Sequence, residues 1–274
     1  MLESIKIKDI YNIAIEAGKA IMEIYKEDFS VEFKADNSPL TKADLAANEI
    51  ICNFLKTNYP QIPILSEENL EVPYEKRKNW EYYWCIDPID GTKEFVKKNG
   101  EFTINIALIH KNTPVLGVVY APAIEKLYYA KKGNGAFRVI LDNKYIILNK
   151  EKLPIIKNSK LNSESVITIA ASNSHLSIKN QEFVDDIKRK IKDSQLIKKG
   201  SSLKLCMVAT GEVDIYPRLS PTMEWDTAAA DAIVRESKKM CYIYQEDFDI
   251  LDVSAETPLF YNKQNLLNPY FIVI

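Results

Sequence analysis

The sequence has no excess of positive charge, no long apolar run and no paired cysteines, and each absence removes a class of function. Its formal net charge is -2, so it offers no basic footprint for duplex DNA or RNA, although a local basic pocket for a small phosphorylated ligand remains allowed. No stretch reaches the roughly 18 apolar residues that a membrane span requires. The opening run, Met1 to Asp9, interleaves charges with apolar side chains instead of forming the apolar centre of a signal peptide. A soluble cytoplasmic protein is expected, with peripheral attachment to the inner membrane left open. Cys52, Cys85, Cys206 and Cys241 are far apart, show no CxxC spacing and mostly lie in apolar runs, the pattern of reduced buried thiols rather than catalytic groups. There is no internal repeat or low-complexity tract.

What is present is 274 residues, 46% hydrophobic and 27% charged, enough for one large or two smaller domains with a sizeable core. The most informative stretch is Trp84-Cys-Ile-Asp-Pro-Ile-Asp-Gly-Thr-Lys-Glu-Phe95, where an apolar run ends in two carboxylates. Tyr82 to Ile86 reads as a buried strand, and Asp87-Pro-Ile-Asp90 is expected to turn sharply, because Pro cannot continue a ladder and Gly91 permits a tight backbone. Ser66-Glu67-Glu68 follows its own short apolar run, Ile62 to Leu65. If the two runs are neighbouring strands, their carboxylates converge. Carboxylates about 4 Å apart repel by roughly 4 kcal/mol per pair at an effective dielectric near 20, so such a cluster needs cations or protons. Oxygen ligands with no His or Cys favour Mg²⁺ over zinc or copper.

Along the chain, residues 5–25 carry apolar positions at helical spacing. Val31 to Lys34 reads as a short strand. Thr41-Lys-Ala-Asp44 has the form of a capping box opening a second helix that ends near Tyr59-Pro60. Phe102 to His110, Thr113 to Ala121 and Lys126 to Ala130 suggest an antiparallel meander. Asn149 to Ser165 is the candidate boundary between an N-terminal α+β lobe, 1–155, and a C-terminal α/β lobe, 156–274. The second lobe alternates: strands at 166–171, 195–199 and 212–216, helices at 180–191, 201–209 and 226–236.

Several residues carry two readings. Asp44 either only caps its helix or also faces a site, and Asp226, in Trp225-Asp-Thr-Ala-Ala-Ala230, is either an N-cap or a further metal ligand. Gly200-Ser-Ser-Leu-Lys204 is a plain capped helix start or a phosphate cradle. Ser172-Asn-Ser-His175 follows a strand end, where ligand contacts cluster in open α/β sheets; a surface loop is the alternative.

Asp87-Pro-Ile-Asp-Gly-Thr92, with the Ser-Glu-Glu cluster before it and Trp225-Asp-Thr-Ala-Ala229 after it, resembles the inositol monophosphatase superfamily of metal-dependent, lithium-sensitive phosphatases. Asp90-Gly-Thr-Lys-Glu-Phe95, Asn99 to Leu108, Gly200 to Lys204 and Tyr216-Pro-Arg218 are similar to the bacterial 3'(2'),5'-bisphosphate nucleotidases of the CysQ type. The likeness runs from about Lys34 to the end of the chain. It implies a layered αβαβα sandwich of α/β (α+β) class, with two lobes and the active site between them. It implies that Glu67, Asp87, the Ile89 carbonyl, Asp90 and Asp226 hold two or three Mg²⁺ ions, and that Thr92 paired with Asp44 activates water. Gly91 and Thr92 would offer N–H groups to the scissile phosphate, and Ser174, His175, Ser202, Lys204, Arg218 and Asp226 would contact the nucleotide. The implied reaction removes the 3'-phosphate of adenosine 3',5'-bisphosphate to give AMP, with the sulfated nucleotide as a second substrate and sulfur metabolism as the setting. Rival readings are an inositol phosphate or sugar bisphosphate substrate, and a non-catalytic nucleotide sensor on the same fold. Asn173, where a basic residue is common in the family, lowers the expected affinity for the nucleotide's second phosphate. A homodimer is allowed.

Overall fold

The computed structural model describes residues 1–27, 31–33, 39–69, 72–156, 161–172 and 178–274. Helix α1 (Ile7–Lys26) buries Ile10, Ala14, Ala17 and Ile21 along one stripe. Strands β1 (Val31–Phe33) and β2 (Pro39–Thr41) form a small antiparallel pair. Helix α2 (Lys42–Asn58) opens with the expected capping box: Thr41 Oγ1 accepts from Ala43 N at 3.2 Å and the Asp44 carboxylate accepts from Thr41 N at 2.8 Å.

A seven-stranded sheet follows, in the order β3 (Ile64–Ser66), β4 (Tyr82–Asp90), β5 (Thr103–His110), β6 (Thr113–Ala121), β7 (Lys126–Lys131), β8 (Gly135–Leu141), β9 (Ile147–Lys152). Every neighbouring pair is antiparallel except β3 with β4. Short helices α3 (Tyr74–Arg77) and α4 (Thr92–Val96) flank β4. The central strands are covered on both faces, which is why they read as continuous apolar runs and not as alternating ones. Trp84 and Ile86 join the core under α1 and α2, whereas Tyr83 and Cys85 join the core on the opposite face.

The C-terminal half supplies β10 (Val166–Ser172), α5 (Ile178–Lys190), β11 (Asp193–Lys199), α6 (Leu203–Thr210), β12 (Tyr216–Arg218), α7 (Glu224–Glu236), β13 (Cys241–Ile243) and β14 (Phe271–Val273). Strands β10 and β11 pair in parallel, β14 lies between β12 and β13, and an Ile169–Ile215 bridge joins the two groups. Ala170, Phe271 and Val273 face α6 and α7, while Ile167, Ile169 and Ile272 face α5. The layers are therefore α1/α2, large sheet, α6/α7, smaller sheet, α5, as the sequence resemblance implies. One core crosses between the halves, since Cys85 and Ala107 pack in the same cluster as Cys206 and Phe271. All four cysteines are free and buried.

Three local expectations are corrected. The strand expected at 212–216 forms later, as β12, because Gly211 closes α6 in a left-handed turn and Ile215 makes only a single bridge. Helix α7 starts at Glu224, so Asp226 is its third residue and not its N-cap. The sharp turn expected at Asp87-Pro88 is absent: β4 runs on to Asp90, with Pro88 inside an irregularity. Asp87 lies opposite Asn105 and Asp90 opposite Thr103, so two residues of β4 face one of β5, which is a β-bulge. The bulge places side chains three residues apart on the same face, where regular pleating would put them on opposite faces.

Helix α7 lies very close to the large sheet. A Cβ on Gly117 of β6 would stand 2.1 Å from the Ala229 carbonyl oxygen and 2.9 Å from Ala232 Cβ. Carboxylates hold both ends of the helix. Buried Glu224 accepts from Asn262 N and Lys263 N, each at 2.8 Å, and Glu236 accepts from Gly135 N at 2.9 Å and Gly133 N at 3.1 Å. Gly117→Ala is predicted to force α7 outward and lower stability by about 1–3 kcal/mol, read as a lower urea midpoint at unchanged slope.

Candidate active site

The bulged end of β4, the turn after β3 and the first turn of α7 meet at one point. There Glu67, Asp87 and Asp226 each bring a carboxylate oxygen within 4.8 Å of the others. Like charges at this separation repel by about 3 kcal/mol or more per pair at an effective dielectric near 20. The protein compensates by favouring protons. Burial first, then Glu67, Asp90 and Asp226, raise the Asp87 carboxyl well above the ordinary carboxylate range. Burial, then Asp90 and Glu67, push Asp226 up to about 8. Local bonds nevertheless fix both groups: Asp87 Oδ1 accepts from Ile89 N at 3.0 Å, and Asp226 Oδ2 accepts from Met223 N at 2.9 Å. An all-oxygen carboxylate set carrying excess negative charge fits a hard divalent cation.

Asp90 sits beside this trio but is engaged across the site. Its Oδ2 accepts from Ser201 Oγ at 2.7 Å and from Ser202 N at 2.6 Å. Ser201 adopts a left-handed backbone, φ 55°, in the turn that opens α6. Ser201 Oγ also meets Thr103 Oγ1 at 2.6 Å. Ser202 Oγ donates to the Asp226 carbonyl at 2.5 Å and accepts from Asn105 Nδ2 at 3.0 Å. Ser202 thus ties Asp90, through its backbone N–H, to α7, through its hydroxyl.

Asp44 makes contacts beyond its cap. Its Oδ2 closes the capping box, and its Oδ1 accepts from Thr92 Oγ1 at 3.2 Å. The Ile89 carbonyl lies at the same 3.2 Å from that hydroxyl, whose single proton serves one acceptor at a time. Gly91 precedes Thr92 with φ 92°, a conformation that favours glycine.

A cleft of about 370 Å³ opens beside Asp90 and Asp226, lined by Gly91, Lys93, Ser201, Lys204, Arg218 and Thr222 among others. Lys204 is buried and donates to the Ser201 carbonyl at 2.7 Å and the Lys199 carbonyl at 3.2 Å. Burial lowers its ammonium to about 8, against the pull of Asp90. Arg218 donates to the Pro221 carbonyl at 3.0 Å through Nη2, while its buried Nε has no partner among the described residues. Ser174 and His175 lie outside the described residues.

Thr103, Asn105 and Ser201 lie within the motifs read from the sequence but carry no individual role there. The signal was available: Thr103 and Asn105 are polar residues two apart in an otherwise apolar strand, so they share a face and are buried. Glu224 escaped notice because its partners, Asn262 and Lys263, are far away in sequence.

The layered α/β sandwich places its clustered carboxylates at the junction of sheet and helix, beside a cleft of about 370 Å³ that carries Lys93, Lys204 and Arg218. The chain belongs to the inositol monophosphatase family, whose model matches residues 3–267. It is 37% identical over 269 residues to the 3'(2'),5'-bisphosphate nucleotidase CysQ of Salmonella typhimurium, covering 97% of this chain and 98% of that protein. The protein of the same name from Buchnera aphidicola is 42% identical over 231 residues, 82% of this chain and 79% of the relative. Among solved structures, CysQ from Bacteroides thetaiotaomicron superposes with a TM-score of 0.80 at 40% identity, covering 97% of this chain and 96% of that one.

The raised carboxyls set a pH dependence with a definite sign. A carboxyl whose folded pKa is raised stabilises the fold below its unfolded value and loses that contribution as pH rises through the folded value. The cation-free protein is therefore predicted to lose stability between pH 4 and about 8, the span from an ordinary Asp to Asp226. Melting curves in EDTA read this directly, and Asp226→Asn should flatten the slope.

Proposed function

We propose that the protein is a Mg²⁺-dependent phosphatase that removes the 3'-phosphate of adenosine 3',5'-bisphosphate to give AMP. The observation that carries this reading is the convergence of Glu67, Asp87 and Asp226 within 4.8 Å beside a cleft bearing Lys93, Lys204 and Arg218. The relatives named as bisphosphate nucleotidases support the substrate.

Glu67, Asp87, Asp226, the Ile89 carbonyl and the second oxygen of Asp90 would hold the cations. When bound, Mg²⁺ supplies positive charge to the phosphoryl oxygens and acidifies the attacking water. The chain's own groups do the rest. Asp44, held through Oδ2 by Thr41, presents Oδ1 to Thr92, so the Thr92 hydroxyl can donate to Asp44 while its oxygen accepts from water. This pair orients the water and takes up its proton. Gly91 and Thr92 N–H groups receive the scissile phosphate. In the cleft, Arg218 and Lys93 balance the second phosphate, and Ser174 and His175 are assigned to the nucleotide by resemblance. Ser202 and Lys204 act on substrate indirectly here, because their polar atoms hold Asp90, Asp226 and the Ser201 turn.

Phosphate release from adenosine 3',5'-bisphosphate, its sulfated form and inositol 1-phosphate, each with and without Mg²⁺, tests the proposal. Mg²⁺-dependent preference for the nucleotide is expected; preference for inositol 1-phosphate overturns the substrate. Asp90→Asn should fold and lose roughly 100-fold or more in turnover, and unchanged turnover would contradict the ligand assignment.

A further inference from the structure

Glu67 differs from the other two carboxylates in its support. Asp87 lies within β4 and Asp226 within α7, but Glu67 stands in the turn that leaves β3, a strand of three residues at the sheet edge. Repulsion from Asp87 and Asp226 pushes it away from the cluster. Something must hold the turn in place. Its backbone is tied at the start by Glu67 N donating to the Ile86 carbonyl at 3.1 Å, and it closes through Asn69 N to the Ser66 carbonyl at 3.2 Å.

A further hold comes from an amide on α2. Asn48 Oδ1 accepts from Ser66 Oγ at 2.7 Å, and Asn48 Nδ2 donates to Asn69 Oδ1 at 3.0 Å. The two ends of the turn are thus gripped by the two polar atoms of one side chain. Cys52, a turn further along the helix, donates to the same Oδ1 at 3.3 Å and receives Asn69 Nδ2 at 3.7 Å. Asn48 follows Asp44 by four residues, on the same helix face. One face of α2 therefore carries Asp44 and also the grip on Glu67.

We infer that Asn48 is a positioning residue for Glu67, fixing the height of its turn so that the carboxylate reaches the cation cluster. The inference rests on Glu67 as a cation ligand in the reading above. Asn48 is only half-buried, so its truncation opens no core cavity, and its effect is expected in cation affinity more than in folding.

Titration calorimetry with Mg²⁺ alone, in the absence of nucleotide, tests this on the full chain. Asn48→Ala and Ser66→Ala should each weaken Mg²⁺ binding roughly three- to tenfold. The double substitution should be no worse than Asn48→Ala alone, because that change already removes the Ser66–Asn48 contact. Turnover at saturating Mg²⁺ and KM for the nucleotide should stay close to wild type. A purely structural role would lower the melting temperature and leave Mg²⁺ affinity unmoved. Affinity within about twofold of wild type in both single variants, or additive losses in the double variant, overturns the role of Asn48. Absence of saturable Mg²⁺ binding by the wild type instead overturns Glu67 as a ligand.

Discussion

The mutual repulsion of carboxylates at one point of the fold is the constraint on which the rest depends. Three like charges within 4.8 Å are unfavourable in any protein without a countercharge. The surrounding structure shows what is needed to keep them there. A bulge turns Asp87 and Asp90 to one face, a capping bond fixes Asp226, and the Ser201–Ser202 turn grips Asp90. Energy invested in this cluster at folding becomes available when a cation and an anionic substrate arrive.

Helix α7 carries this constraint through the molecule. With α6 it forms the layer shared by the two sheets, and its first turn bears Asp226. Its seating is set by the absence of a side chain at Gly117 and by Glu224 and Glu236 at its ends. Arg77 extends the hold on the Glu224 end: its guanidinium donates to Asn262 Oδ1 at 2.9 Å and to the Gln264 carbonyl at 2.7 Å. Buried Arg77 and Glu224 thus brace the end of α7 that bears Asp226.

Much of this was legible in the sequence because local rules applied. The capping box at Thr41–Asp44, the meander from Thr103 to Lys131 and the alternating second half follow from spacing and composition. The convergence of Glu67 with Asp87 follows once β3 and β4 are neighbours. What stayed hidden depends on partners far apart in the chain. Proline at 88 argued for a turn, and only pairing with β5 shows that the extra residue is absorbed as a bulge. Likewise, Ser202 looks like a phosphate ligand from its helix-start position, yet its hydroxyl is directed to the Asp226 carbonyl.

The central claim is that the cluster is a divalent cation site. A crystal soaked in Mn²⁺ and measured at the manganese absorption edge tests it most directly. The account predicts anomalous peaks in contact with Glu67, Asp87 and Asp226. Anomalous density elsewhere, with these carboxylates bridged only by water or protons, would contradict it.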